Sequence, residues 1–221
     1  MTLAELNIKK IQFPDNQYIK EETPKKQIYL HHTAGNSSAE ATFKYWAGNK
    51  ERIATCVSIA GPGSPEGDGQ IVQGFSSQYW AFHLGLKEST FQKHGVPYRS
   101  LDKTSIGIEI CNWGQLSKSG DRYYNYVMKQ VPAEDVIELE KPFKGHKYFH
   151  NYSDAQIEST RKLLLFWRER YGIPLTYDPG IWDISRDALV GTPGVYTHNS
   201  VRTDKIDVYP HPKLIEMLKS I

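Results

Sequence analysis

The chain has 221 residues, 39% of them hydrophobic and 24% charged, with a net charge of +2. That balance fits one soluble domain with a sizeable core, and it lacks the strong field that a nucleic-acid or membrane-surface partner would read. No apolar run is long enough to span a bilayer, and "MTLAELNIKK" lacks the layout of a signal peptide, so synthesis in the cytoplasm is expected.

In chain order, residues 1–24 read as a short arm packed on the body. "QIYLHH" (27–32) is a short apolar run that predicts a buried strand. In "SSAEATFKYWAGN" (37–49), Ser37 and Glu40 have capping-box spacing, and Phe43, Trp46 and Ala47 make an apolar stripe, which predicts a helix. "RIATCVSIAG" (52–61) predicts a strand, "PGSPEGDG" a turn-rich loop and "QIVQGF" (70–75) the returning strand. "TSIGIEICN" (104–112) is a continuous apolar strand, and "GDRYYNYVMKQV" (120–131) alternates like an exposed hairpin strand. Residues 112–150 read as an insertion that decorates the fold. "SDAQIESTRKLLLFWRERYGI" (153–173) is the clearest helix, capped by Ser153 and Gln156, and "PKLIEML" (212–218) predicts a short closing helix. Buried strands interleaved with helices predict an α/β domain with a mixed sheet. Two cysteines, Cys56 and Cys111, make no disulfide framework and read as buried free thiols. Fourteen tyrosines and five tryptophans are many; most serve packing, and some suit a carbohydrate- or peptide-binding groove.

Several polar residues fit none of these core patterns. His31 and His32 end an apolar run, and His198 lies in "VYTHNSVRTDKIDVYPHP", read as a loop, nine residues before Asp207. Imidazole and carboxylate suit zinc, and a catalytic zinc site takes three protein ligands and leaves a fourth position open. Spacing alone is a weak signal, and a lone histidine is more often a satisfied structural residue. Glu109 sits among Ile106, Ile108 and Ile110. A buried carboxylate needs a partner, which is a cation, a hydrogen-bond network, a catalytic water or a salt bridge to Arg or Lys. Burial would raise its pKa toward the range of a general base.

"LHHTAG", "SIGIEI" and "THNSVRTDKID" together resemble the zinc-dependent N-acetylmuramoyl-L-alanine amidases of type 2, over roughly residues 25–215. That family includes phage lysozyme-type endolysins, a cytosolic amidase that recycles muropeptides, and the peptidoglycan recognition proteins. The resemblance implies a single domain over 25–221 with a central mixed sheet flanked by helices. It implies a Zn2+ ion on His31, His198 and Asp207, with Thr197 where the family has Gly. It implies Lys205 at the substrate carbonyl and Glu109 as the residue that serves the water. His32 falls on a variable position and is expected to support or line the site, on the opposite face of its strand from His31. His83, in "YWAFHLG", resembles the family's groove-lining "W-H-A-G" segment. The family's catalytic tyrosine is read onto Cys56, so Glu109 is expected to take over its work. Cys56 as a fourth ligand would close the site.

The implied substrate is peptidoglycan or a muropeptide, cleaved between N-acetylmuramic acid and L-alanine by a monomer with no nucleic-acid or membrane partner. A cell-wall role implies release by a separate export or holin-type route. Two rival readings are a non-catalytic peptidoglycan-binding module and a zinc peptidase that cuts within the stem peptide.

Overall fold

A computed structural model describes residues 6–49 and 51–221. In chain order the elements are β1 (Ile8–Lys10), β2 (Gln27–His32), α1 (Ala39–Gly48), β3 (Val57–Ile59), β4 (Ile71–Gln73), α2 (Glu88–Lys93), α3 (Leu101–Thr104) and β5 (Ser105–Ile110). There follow β6 (Gln115–Ser119), β7 (Arg122–Tyr124), β8 (Gln130–Val131), β9 (Val136–Phe143), β10 (His146–His150), α4 (Asp154–Tyr171), α5 (Arg186–Val190), β11 (Gly194–Thr197) and α6 (Pro212–Lys219). The architecture is α/β with a mixed central sheet, as the alternation of apolar runs and amphipathic stretches predicts.

The central sheet runs β1-β4-β3-β5-β2-β11. β3, β5, β2 and β11 are mutually parallel, β4 is antiparallel to β3, and β1 is parallel to β4. β2 and β5 are buried at every position, which explains their continuous apolar runs. Parallel neighbours end at the same edge of a sheet, and in open α/β sheets that carboxyl-end edge is where ligands bind. Here β5, β2 and β11 end on Glu109-Ile110, His31-His32 and Thr197, with His198 next in the chain.

A second, antiparallel sheet, β8-β7-β6-β10-β9, is built wholly from residues 115–150. The stretch 120–131 supplies two short strands, β7 and β8, joined by a turn over 125–129. Of the arm read over 1–24, residues 1–5 lie outside the described residues; residues 8–10 pair with β4 at the sheet edge. No described helix is long and apolar enough to cross a membrane.

Three local expectations change. α1 is capped by Ser38, whose Oγ accepts from Ala41 N at 3.1 Å; Ser37 instead gives its carbonyl to Gly61 N at 2.8 Å, which holds it in the loop. The strand predicted over 52–61 is confined to Val57–Ile59, because Arg52 takes φ +55° and turns the chain before it. The loop expected to carry His198 contains β11, a four-residue strand too short to show periodicity. The capping box of α4 forms as its spacing predicts, with Ser153 Oγ accepting from Gln156 N and Gln156 Oε1 accepting from Ser153 N.

Candidate metal centre

His31 is the Cα partner of Glu109 across the parallel pair β2–β5, so both side chains lie on one face of the sheet. Thr197 pairs with Leu30, which brings His198, the next residue, beside His31. His198 is held in a single 3-10 turn. The Thr197 and Ser200 hydroxyls both donate to the Ile181 carbonyl, at 2.6 and 2.7 Å. Asn199 Nδ2 donates to the carbonyls of Asp207 and Val208, at 3.1 and 2.7 Å, and so clamps the chain that carries Asp207.

Three atoms converge. His31 Nδ1 lies 3.1 Å from His198 Nδ1, and Asp207 Oδ2 lies 3.2 and 3.0 Å from those two nitrogens. The far nitrogens decide what these atoms offer. His198 Nε2 meets the Leu84 carbonyl at 3.0 Å and must donate to it, which leaves Nδ1 a lone pair. His31 Nε2 meets His83 Nδ1 at 3.0 Å, and His83 Nε2 meets Ser105 Oγ at 2.9 Å. With donation running outward along that chain, His31 Nδ1 also presents a lone pair. Burial lowers the His31 pKa to about 4, so its imidazole is neutral near pH 7. Burial alone would raise the Asp207 carboxyl, but proton-bearing His198 and His31 rings beside it would hold it well below the usual carboxylate range. Two lone pairs and a carboxylate oxygen facing each other repel unless a proton or a metal cation joins them. Their separations match the edge of a tetrahedron around zinc, about 3.3 Å for bonds of about 2.0 Å. The donor set fits the metal.

Residues 83 and 84 position both histidines, one through a ring and one through a carbonyl. Asp102, hidden in sequence by its ordinary surroundings, fixes them: its Oδ1 accepts from His83 N and Leu84 N at 2.8 and 3.0 Å. His83 lines the cleft, and its ring nitrogens are taken up by His31 and Ser105, so that it holds the His31 ring in place.

The trio opens into a cleft of about 380 Å³ that is also lined by Glu109, Lys205, His32, Thr55 and Trp46. Burial, then the charge of Asp207, raises the Glu109 pKa well above the ordinary carboxylate value, while Lys205 opposes the rise. Among the described residues no ion pair reaches Glu109. The salt bridge open from the sequence is therefore absent, and the carboxyl faces the cleft. His32 pairs with the Tyr152 hydroxyl at 2.8 Å, and Tyr152 stacks on Tyr209 at 4.8 Å.

Cys56 does not reach the trio. Its Sγ lies 3.8 Å from the Gly107 carbonyl, burial pushes its thiol up to about 12, and Ile53, Ala54 and Thr55 line the cleft while Cys56 does not. The chain bends at residue 56 before β3 begins, which takes the Cys56 side chain out of the cleft. The reading of Cys56 as a fourth ligand is corrected accordingly.

The loop carrying Lys205 and Asp207 is also tied to the second sheet. Lys144, at the turn between β9 and β10, donates through Nζ to the Lys205 carbonyl at 2.6 Å and the Thr203 carbonyl at 3.3 Å. Sequence patterning carries no sign of this long-range contact.

A family model described as N-acetylmuramoyl-L-alanine amidase matches residues 21–212. No curated protein matches. Among solved structures the chain is similar to PlyL, with TM-score 0.53, 16% identity and 96% of each chain covered. It is similar to an endolysin from Bacillus subtilis, with TM-score 0.53, 15% identity and 97% of each chain covered. It is also similar to the N-acetylmuramyl-L-alanine amidase AmiD from E. coli, solved with its substrate anhydro-N-acetylmuramic acid-L-Ala-D-gamma-Glu-L-Lys. That match has TM-score 0.51 and 19% identity, covering 90% of this chain and 59% of AmiD. At such identities the structural likeness shows a shared fold.

Proposed function

The chain belongs to the N-acetylmuramoyl-L-alanine amidase family, and from that premise we propose that it cleaves its amide at a zinc ion held by His31, His198 and Asp207. The observation that carries the zinc reading is the convergence of two imidazole lone pairs and a carboxylate oxygen, all within 3.2 Å of one another. When bound, zinc would supply Lewis acidity toward the scissile carbonyl and make water more acidic.

The chain's own residues supply the rest. Glu109 stands on the same face as His31 and has no ion-pair partner among the described residues. It accepts a proton from the attacking water and returns it to the departing alanine amine. Burial raises its pKa above the ordinary carboxylate value, which makes it a stronger base toward water. Lys205, on the cleft wall, places a positive charge toward the carbonyl oxygen as negative charge develops there. His83 and the Leu84 carbonyl keep both imidazoles in the tautomer that binds metal. His32 lines the cleft and is held by Tyr152.

The substrate is the amide between the lactyl group of N-acetylmuramic acid and L-alanine in peptidoglycan. We extend the proposal to cell-wall lysis as an endolysin or autolysin, with release from the cytoplasm by a separate export or holin-type route. Mass spectrometry of digested peptidoglycan tests the reading. Intact stem peptides free of sugar support it. Shortened peptides would mean a peptidase, and no release would mean a binding module.

A further inference from the structure

We propose that Asp102 is a positioning residue that acts on both zinc-ligand histidines at once. Its hydrogen bonds hold the carbonyl that meets His198, and its charge sets the tautomer of the imidazole chain that ends at His31. The proposal rests on the reading of the trio as a zinc site.

The His198 arm runs through backbone. Asp102 lies in α3, directly before β5, and is 7% exposed. Its Oδ1 accepts from His83 N and Leu84 N, in a segment that belongs to no helix and no strand of the sheet. No ladder of backbone bonds fixes that segment, so the carboxylate does. Fixing the Leu84 backbone fixes where its carbonyl points, and that carbonyl meets His198 Nε2 at 3.0 Å. The His198 hydrogen is thereby kept on Nε2 and the lone pair on Nδ1.

The His31 arm runs through charge. The His83 ring bridges His31 Nε2 and Ser105 Oγ, and two neutral arrangements satisfy both bonds. In one, His31 Nε2 donates to His83 Nδ1, and His83 Nε2 donates to Ser105. In the other, the Ser105 hydroxyl donates to His83 Nε2, His83 Nδ1 donates to His31, and His31 carries its hydrogen on Nδ1, where the metal would bind. A hydroxyl serves either arrangement, so the bonds alone do not choose between them. Asp102 Oδ1 lies 3.9 Å from His83 Nε2. Among the described residues no Lys or Arg pairs with it. A carboxylate at that distance attracts an N–H and repels a lone pair, which favours the first arrangement. The ring is also held against bare backbone: a Cβ on Gly107 of β5 would lie 3.1 Å from His83 Nδ1. One side chain thus biases two ligands that come from different ends of the chain.

The test measures zinc affinity of the full chain by chelator competition, with folding checked by thermal melts. Asp102→Asn keeps an oxygen acceptor for both N–H groups and removes the charge, so affinity should fall roughly tenfold; Asp102→Ala also frees the Leu84 carbonyl and should lose roughly 100-fold. His83→Ala keeps both backbone N–H groups but lacks the ring. In that background Asp102→Asn should cost nothing more, while Asp102→Ala should still weaken zinc about tenfold. Asp102→Asn, which keeps the backbone bonds, carries the test where Asp102→Ala does not fold. Parent-like affinity in Asp102→Asn, or the same loss with and without the His83 ring, overturns the proposal, as do equal affinities in Asp102→Ala and Asp102→Asn. A parent chain that binds no zinc overturns the metal reading itself, and the role of Asp102 with it.

Discussion

Glu109 stands directly across the β2–β5 pair from His31, in register and on the same face. The proposed proton acceptor and the proposed metal-binding imidazole are therefore carried by two hydrogen-bonded backbones. Sites on paired strands keep their geometry better than sites on loops.

Glu109→Gln keeps shape and hydrogen-bonding capacity but removes the proton acceptor. Turnover on a muramoyl peptide should fall roughly 100-fold or more, with KM changed little and zinc content unchanged. Activity within a few-fold of the parent, measured by steady-state kinetics on the folded variant, would mean that Glu109 is structural.

Metal content should follow the trio and its support. Elemental analysis of the parent should find about one zinc per chain, and His198→Ala should lose it. His83→Ala keeps all three ligands but loses the hydrogen bond to His31, so zinc affinity should drop roughly 10- to 100-fold in a chelator competition. Full zinc occupancy in His198→Ala would refute the ligand set. Chelation should abolish hydrolysis while circular dichroism stays near native, because the core beneath the trio is a packed apolar sheet.

Lys144→Met should slow catalysis from a distance. Its ammonium holds the carbonyls of Thr203 and Lys205, and the same loop carries Lys205 and Asp207. Loosening that loop should lower kcat roughly tenfold and weaken zinc binding, since small displacements of positioned groups are costly to rate. Parent-like values for both would show that the loop holds itself.

Acid should destabilise the chain below neutrality through a histidine remote from the trio. His211 caps α6 with Nδ1, which accepts from Leu214 N, and pairs through Nε2 with Asn151 Oδ1. Burial lowers its pKa to about 4, against 6.5 in the unfolded chain. A lowered folded-state pKa means that its contribution is full above pH 6.5 and is lost as pH falls from there toward 4. In melts of chelator-treated protein, His211→Asn keeps a cap residue without the titration. It should therefore show a shallower loss of Tm between pH 6.5 and 4; an unchanged slope would assign the acid sensitivity elsewhere.

What the residues alone determined was local. The apolar runs around His31 and Glu109 mark two buried strands, and Ser153 with Gln156 marks the start of α4, because side-chain periodicity and capping are written within a few neighbouring residues. The resemblance carried by three short motifs singled out His31, His198 and Asp207 before any geometry. The tertiary structure alone decided how those groups are held. β11 is a strand because β2 lies beside it, and Asp102 matters because it catches the backbone of His83 and Leu84. Lys144 reaches the Lys205 loop across 61 residues of chain, and Tyr126 and Tyr45 line one cleft. Each of these is a contact between segments far apart in sequence. Such contacts leave no periodic trace, because either partner alone is an ordinary surface or loop residue until the fold brings the other to it.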